Sequence, residues 1–180
     1  MRRIALLIVL AAALPAFAAG PQPELVTVVK ARDAAAVRAP IAREANVNAT
    51  ETDGTSALHW AVSAGDATTT ELLIRAGARV DVANRYGVTP LSLAARNGRA
   101  DLIDLLLKSG ARVKTAESTL PEGQTLVMQA AGTGSVDSVK RLAAAGSDVN
   151  ARETRTATTA LVWAAASNRA EAVRALVEAG

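Results

Sequence analysis

Few side chains in this sequence could carry out catalysis, and their spacing does not assemble a catalytic set. The 180 residues contain one histidine and no cysteine. A thiolate zinc site, an iron–sulfur cluster and a cysteine nucleophile are therefore excluded, and His59 has no second histidine with which to hold a metal ion. A catalytic histidine also needs a nucleophile and an orienting group beside it. We expect no catalytic residue, no cofactor and no metal site.

Residues 132–135, with the sequence GTGS, superficially suggest a phosphate-binding loop. No lysine follows at the required place, so we interpret the segment as a turn between two helices. The formal net charge is +3, and Arg2 and Arg3 account for two of these charges. Acidic residues such as Asp101 and Asp104 are interspersed among the other arginines. No concentrated basic face is predicted, and nucleic acid is not an expected partner.

The beginning of the chain is typical of a cleavable export signal. Arg2 and Arg3 precede an apolar run that extends over residues 4–14, and Ala16 and Ala18 supply the small residues of a cleavage site. A membrane-spanning helix needs about 20 apolar residues, which disfavours a stable anchor. We expect cleavage after Ala18 and a mature protein that is periplasmic or secreted.

Glycines recur along the chain with a fixed period. Gly54 and Gly87 are 33 residues apart, and so are Gly65 and Gly98. Within each of these units the two glycines are 11 residues apart. The spacing varies at one point of the cycle, between units, which indicates a surface loop there.

The first and last units keep this frame without the glycines. Ala157 and Asn168 stand at the glycine positions of the last unit, and Arg32 and Glu44 replace glycines in a degenerate first unit. Terminal repeats are expected to be atypical, because one of their faces lacks a neighbouring repeat.

Each unit has the pattern of two short helices. In residues 87–110, Thr89 and Pro90 form a helix start, because the hydroxyl caps free amides and the first helical position needs no N–H. After a glycine turn, Ile103 and Leu106 belong to an apolar stripe at helical spacing. Two such helices cannot bury their apolar face alone. The sequence therefore predicts an all-α solenoid of stacked helix-turn-helix pairs.

The signatures of these units resemble the ankyrin repeat family. The matching segments are residues 89–98 (TPLSLAARNG), 105–111 (LLLKSGA), 56–61 (SALHWA) and 159–165 (TALVWAA). The resemblance implies a curved stack with loops or hairpins projecting from one edge, which binds other proteins. It also implies that His59 forms hydrogen bonds within the loop scaffold. Trp60 and Trp163 occupy the repeat position of Leu93, which predicts that they pack in the core.

The expected organisation is a signal peptide followed by an array of repeats. The boundaries are residues 1–18 for the signal peptide, 19–180 for the array, about 22–50 for the degenerate unit, and about 51–83, 84–116, 117–150 and 151–180 for the repeats. The repeat at 117–150 lacks the proline and follows three extra residues, which leaves its loop shape open. The chain ends at Gly180, where earlier units continue. We therefore expect the last repeat to be incomplete and the chain to be a fragment.

The resemblance also implies which side chains point to the concave face. They are the residues beside each loop glycine and the pair that ends the first helix of a unit, and they are not expected to be needed for stacking. The expected protein-binding residues are Asp53, Thr55, Arg85, Tyr86, Val88, Arg96, Asn97, Glu122, Gln124 and Arg155. Tyrosine and arginine often dominate interface energies. The alternative for Tyr86 is that it packs over its own loop.

Two functions fit these observations. The first is an exported, monomeric scaffold that binds another protein through the concave face and has no chemistry of its own. The second is the docking or targeting part of a longer exported enzyme or effector, whose active domain lies beyond residue 180. Fold alone does not choose between them. The missing catalytic set favours the first.

Overall fold

Helices make up the regular structure of the described part of the chain. The structure is a computed structural model that describes residues 24–180, so the predicted signal peptide lies outside the described residues. Within these residues the eleven α-helices are α1 Glu24–Lys30, α2 Ala34–Ala42, α3 Ala57–Ser63, α4 Ala67–Arg75, α5 Pro90–Arg96, α6 Ala100–Lys108, α7 Val113–Glu117, α8 Leu126–Thr133, α9 Val136–Ala144, α10 Ala160–Ala166 and α11 Ala170–Ala179. No strand forms between residues 24 and 180, and one isolated β-bridge joins Thr50 to Ser56. The prediction of an all-α solenoid is confirmed.

The helices pack as two rows. The first helix of each pair packs on the first helix of the next pair, and the resulting inner row is α1, α3, α5, α8 and α10. The second helices form the outer row in the same way, and it is α2, α4, α6, α9 and α11. One position of the inner row is a fully buried alanine in four successive repeats, namely Ala61, Ala94, Ala130 and Ala164. Because each methyl group is small, neighbouring inner helices can approach closely.

Left-handed backbone marks the repeat frame. Gly87 has φ 72°, and Ala157, at the equivalent position of the last repeat, has φ 53°. Asn168, Arg32 and Glu44 have φ of 56°, 57° and 58°. A residue with a Cβ is strained in this region by about 1–2 kcal/mol. The residues that replace glycines in the sequence therefore keep the turns, although glycine would form them with less strain.

The spacer before the repeat at 117–150 differs from the surface loop that its variable length predicted. Residues Val113–Glu117 form the short helix α7, in which Val113 and Ala116 are buried. A 3₁₀ turn follows at Pro121–Gly123. The two buried side chains account for the difference, because they hold the spacer against α5 and α8.

Gly132 also differs from expectation. It lies inside α8, so of the two glycines in residues 132–135 Gly134 alone, with φ 83°, forms the turn. A Cβ at Gly132 would lie 3.5 Å from Cε3 of Trp163. That is an ordinary van der Waals distance, so the Trp163 indole packs against α8 without requiring glycine at this position.

The last repeat leaves apolar side chains exposed on one side. Leu161 and Val162 are 41% and 48% exposed, whereas their equivalents Leu91 and Ser92 are 0% and 4% exposed. Helix α8 covers Leu91 and Ser92 because it packs directly on α5. In the described chain no inner helix packs on the other side of α10.

Candidate functional site

Four loops connect an outer-row helix or α7 to the next inner helix, and we call them fingers 1 to 4. They comprise residues 51–55, 84–88, 119–124 and 153–158. Three are closed by a backbone hydrogen bond of 2.9 Å, from Glu51 N to Thr55 O, from Asn84 N to Val88 O and from Glu153 N to Thr158 O. Finger 3 contains the 3₁₀ turn, where Gln124 N donates to Pro121 O at 3.1 Å.

Hydrogen bonds join the fingers in two pairs. Arg85 N donates to Asp53 O at 2.7 Å and joins finger 2 to finger 1. Thr154 N donates to Glu122 O at 2.7 Å and joins finger 4 to finger 3. Within residues 24–180 no backbone hydrogen bond connects finger 2 with finger 3. The finger edge of the stack is therefore divided into two halves.

Ionised carboxylates hold the first and last fingers. Asp53 Oδ1 accepts a hydrogen bond from Thr55 N at 2.9 Å, and this backbone donor lowers the pKa of Asp53. Glu153 Oε2 accepts from the hydroxyls of Thr156 and Thr158 at 2.6 and 2.7 Å. These two donors lower the pKa of Glu153 to about 2. Both acids are therefore negatively charged at neutral pH and stabilise their own loops.

His59 connects two repeats. Its Nδ1 accepts from Ser56 N at 3.2 Å, and its Nε2 donates to the Val88 carbonyl at 3.0 Å. Ser56 and His59 together form a capping box at the start of α3. Burial lowers the pKa of His59, which keeps the ring neutral in this network. His59 thus forms hydrogen bonds within the loop scaffold, as the resemblance implied.

Tyr86 and Arg96 present free side chains near the fingers. Asn84 Oδ1 accepts from Tyr86 N and Val88 N, both at 3.0 Å, and this turn leaves the Tyr86 side chain 72% exposed. Packing of Tyr86 over its own loop does not fit that exposure. Arg96 is also exposed, and among the described residues its guanidinium has no hydrogen bond or ion pair.

Other predicted site residues contact neighbouring fingers. Arg85 Nη2 donates to a carbonyl of finger 1, that of Thr52, at 2.6 Å. Arg155 Nε lies 3.6 Å from Glu122 Oε1. Gln124 Nε2 donates to Glu153 Oε1 at 3.4 Å, which adds a side-chain contact between fingers 3 and 4.

Two predicted site residues, Thr55 and Asn97, form hydrogen bonds to the neighbouring repeat. Thr55 is 8% exposed, and its Oγ1 accepts from Asn84 Nδ2 at 3.1 Å. Asn97 Nδ2 donates to the Ser63 carbonyl at 3.3 Å. Each bond joins one repeat to the next. Val88 has a comparable role through its carbonyl, which accepts the bond from the imidazole described above.

A cavity of about 350 Å³ lies between the two finger pairs, and we call it the interfinger cavity. Fingers 2 and 3 form two of its sides, and helices α5, α8 and α10 contribute the rest. The lining residues that matter below are Tyr86, Arg96, Leu120, Pro121, Gln129 and Trp163.

Sequence reasoning missed Gln129 and Trp163 as site residues. Both occupy the inner-row position of Trp60 and Leu93. An amide at a position that holds Trp60, Leu93 or Trp163 in other repeats is the signal that could have revealed the site. Trp163 was expected in the core, but it is half-buried, so one side packs against core residues and the other lines the cavity. Trp60 is also half-buried, with Nε1 donating to Glu51 Oε2 at 2.6 Å.

Comparison with known families agrees with this geometry. The family described as ankyrin repeats (3 copies) matches residues 25–117 and 115–180. The protein belongs to the ankyrin repeat family. No curated protein gives a significant match to this ankyrin chain. Ankyrin repeats are generally protein–protein interaction modules, and the family is typically non-enzymatic.

Two further searches concern the described part of the ankyrin array. Between residues 24 and 180, no three His, Cys, Asp or Glu side chains are grouped so that they could hold a metal ion. None of the helices in that range has the length and apolar character needed to cross a membrane.

Proposed function

We propose that this ankyrin array is an exported, monomeric scaffold that binds another protein through its concave face, made of the inner row and the fingers. We further propose that it has no chemistry of its own. The observation that carries the proposal is that the side chains of Tyr86 and Arg96 line the same cavity. Tyr86 is 72% exposed, and the Arg96 guanidinium has no partner among the described residues. Tyrosine and arginine are enriched among the residues that dominate interface energies.

Export is supported by the charged, apolar and small-residue segments at the start of the chain. Protein recovered from the exported fraction is expected to begin at Ala19 or within one or two residues of it. N-terminal sequencing and intact mass measure this. A full-length chain confined to the cytoplasm would contradict export, while leaving the interaction surface untouched.

The interaction is tested with the exported protein and the partner captured with it. After mass spectrometry has identified the partner, titration compares wild type with Tyr86→Ala and Arg96→Ala. Each variant is expected to weaken binding by about 1–3 kcal/mol while changing the free energy of unfolding by less than about 1 kcal/mol. The reason is that both side chains are exposed and make no contact that the stack requires.

Lys108→Ala is the matched control, because it removes a positive charge from α6 in the outer row. Its affinity is expected to equal that of wild type. Unchanged affinity in the Tyr86→Ala and Arg96→Ala double variant would place the binding surface elsewhere. An equal loss of affinity in Lys108→Ala would indicate nonspecific electrostatic attraction instead of binding to a defined face.

A further inference from the structure

The junction between fingers 2 and 3 is unlike the rest of the finger edge. The other two junctions each contain a backbone hydrogen bond, from Arg85 N to Asp53 O and from Thr154 N to Glu122 O. At this junction the backbones come close without such a bond, since a Cβ at Gly87 would collide with the Thr119 carbonyl. The interfinger cavity opens beside this contact. A partner can therefore enter here without breaking hydrogen bonds between fingers.

The walls of the interfinger cavity are mainly apolar. Leu120 and Pro121 come from finger 3, and the half-buried indole of Trp163 comes from α10. A volume of about 350 Å³ is at the small end of ligand pockets, which range from about 300 to 1,000 Å³. It suits one large side chain and its adjoining backbone. An apolar side chain placed there is removed from water and packs against a flat aromatic surface.

Arg96 gives the cavity a positive charge. The other described residues that line the cavity are uncharged. Arg96 also lines a second cavity of about 210 Å³ together with Asp53, whose Oδ1 accepts from Thr55 N at 2.9 Å. The Arg96 guanidinium forms no hydrogen bond or ion pair with Asp53 or with any other described residue. A carboxylate is its best-matched partner, because both groups are planar and can form two parallel hydrogen bonds.

Gln129 adds an unmet hydrogen-bonding requirement. Its Oε1 is buried and has no hydrogen-bond partner among residues 24–180. Buried polar atoms are normally paired, so a donor brought by a bound peptide would satisfy this oxygen. The same position is Trp60, Leu93 and Trp163 in other repeats, which shows that stacking does not require an amide there. The N–H of an extended peptide is a suitable donor.

We propose that the interfinger cavity binds an extended segment of a partner protein in which an acidic side chain stands next to a large apolar one. The carboxylate pairs with Arg96, the apolar side chain packs against Trp163, and a backbone N–H donates to Gln129 Oε1. This inference rests on the proposed function of concave-face binding. It specifies the peptide chemistry that the face recognises.

The probe is a library of random dodecapeptides displayed on phage and selected against the full chain as exported. Selected sequences are then synthesised, labelled with fluorescein and titrated by fluorescence anisotropy. We expect enrichment of Asp or Glu within two residues of Phe, Trp or Leu. Replacing that acid by its amide in the peptide is expected to weaken binding about tenfold or more, because the charged hydrogen bonds to the guanidinium are lost.

Variants of the chain test the same contacts from the other side. Arg96→Gln is expected to weaken binding of the selected peptides about tenfold or more, and Gln129→Leu is expected to weaken it about fivefold. Gln129→Leu introduces leucine, which the repeat at 84–116 has at the equivalent position, Leu93. Its thermal unfolding midpoint is therefore expected to be no lower than that of wild type. The control Lys108→Gln is expected to leave both affinity and midpoint unchanged.

Peptides that bind Arg96→Gln and Gln129→Leu as tightly as wild type would overturn the proposed cavity chemistry. If those peptides still bind Tyr86→Ala more weakly than wild type, the proposal of concave-face binding is retained. Failure of the cavity chemistry is thereby distinguished from failure of the proposed function. Binding that disappears when the peptide C-terminus is amidated would overturn the inference in favour of chain-end recognition. A selection that enriches no sequence over the Arg96→Gln protein would also overturn it.

Discussion

Two repeats of the array, residues 84–116 and 151–180, build the same pair of helices from different local chemistry. In the first, Thr89 Oγ1 accepts from Ser92 N at 3.1 Å, and Ser92 Oγ accepts from Thr89 N at 3.0 Å. The equivalent residue of the last repeat, Thr159, makes no side-chain cap at α10. The turn glycine of the first repeat is replaced by an alanine in the second.

What the two repeats share is a buried leucine in the outer helix. Leu106 and Leu176 occupy the same position and are 0% and 5% exposed. The common backbone frame therefore depends on packing between the rows and not on caps or glycines. The repeats also differ in their neighbours, since α5 packs between α3 and α8, whereas α10 packs on α8 alone among the described inner helices.

The largest expected difference concerns this leucine. Leu106→Ala should lower the free energy of unfolding by about 3–5 kcal/mol, because the cavity is enclosed by neighbours on both sides. Leu176→Ala should cost about 2 kcal/mol or less, because the less covered last repeat can relax around the change. Urea unfolding of the two variants measures both. Equal losses would mean that the last repeat is packed as firmly as the interior one.

The turn position gives the next largest difference. Gly87→Ala should cost about 2 kcal/mol or more, since strain at positive φ is added to a collision with the Thr119 carbonyl. Ala157→Gly should stabilise the protein by about 1 kcal/mol by relieving the same strain. Thermal unfolding measures both effects.

Gly110→Ala is the matched control for the turn. Gly110 has φ 95°, but a Cβ there would have no atom within 4 Å, so this variant reports strain without collision. Its cost should be about 1 kcal/mol, between the values of the other two. A cost for Gly87→Ala no greater than that of Gly110→Ala would contradict the close approach of fingers 2 and 3.

The helix caps should show a smaller difference. Thr89→Ala removes a capping side chain and should cost about 1 kcal/mol, whereas Thr159→Ala removes no cap bond and should change stability by less than about 0.5 kcal/mol. Hydrogen exchange of the first-turn amides of α5 and α10 provides a local measurement. Equal acceleration of exchange at both sites would show that Thr159 caps α10 in solution.

The smallest expected effect is a pH dependence of finger 4 that finger 2 does not share. Finger 4 is held by the Glu153 carboxylate, whereas finger 2 is held by the Asn84 amide, which does not titrate. Because the pKa of Glu153 is lowered from 4.5 to about 2, its contribution to stability is complete above pH 4.5 and is lost as the pH falls towards 2. The stability difference between wild type and Glu153→Gln should shrink over that range. A difference that is constant with pH would contradict the role of the ionised carboxylate.

The repeat frame could be predicted from sequence because the period relates residues that stand in equivalent places. It predicts the helix pairs, and it identifies Ala157 and Asn168 as turn residues although neither is glycine. Alanine and asparagine can replace glycine here because the packing of the segments before and after the turn imposes the backbone conformation. Their φ values of 53° and 56° confirm the register.

The interfinger cavity could not be predicted in the same way. It depends on α7, a short helix in the inserted spacer whose Val113 and Ala116 are buried, and which packs against α5 and α8. A repeat period relates equivalent positions, so it does not predict how an inserted segment packs. The cavity also depends on Gln129, whose importance comes from an unpaired atom and not from a motif. The hydrogen bond from Asn84 to Thr55 could not be predicted for a related reason, since it depends on how two fingers meet.

The missing bond between fingers 2 and 3 interrupts the line of backbone hydrogen bonds along the finger edge. Each finger pair is tied by a backbone hydrogen bond of 2.7 Å, whereas the central junction has none within residues 24–180. There the two halves of the array are joined by helix packing, with α8 on α5 and α9 on α6. A peptide seated in the interfinger cavity would contact fingers 2 and 3 together, and would supply the link between the halves that the fingers themselves lack.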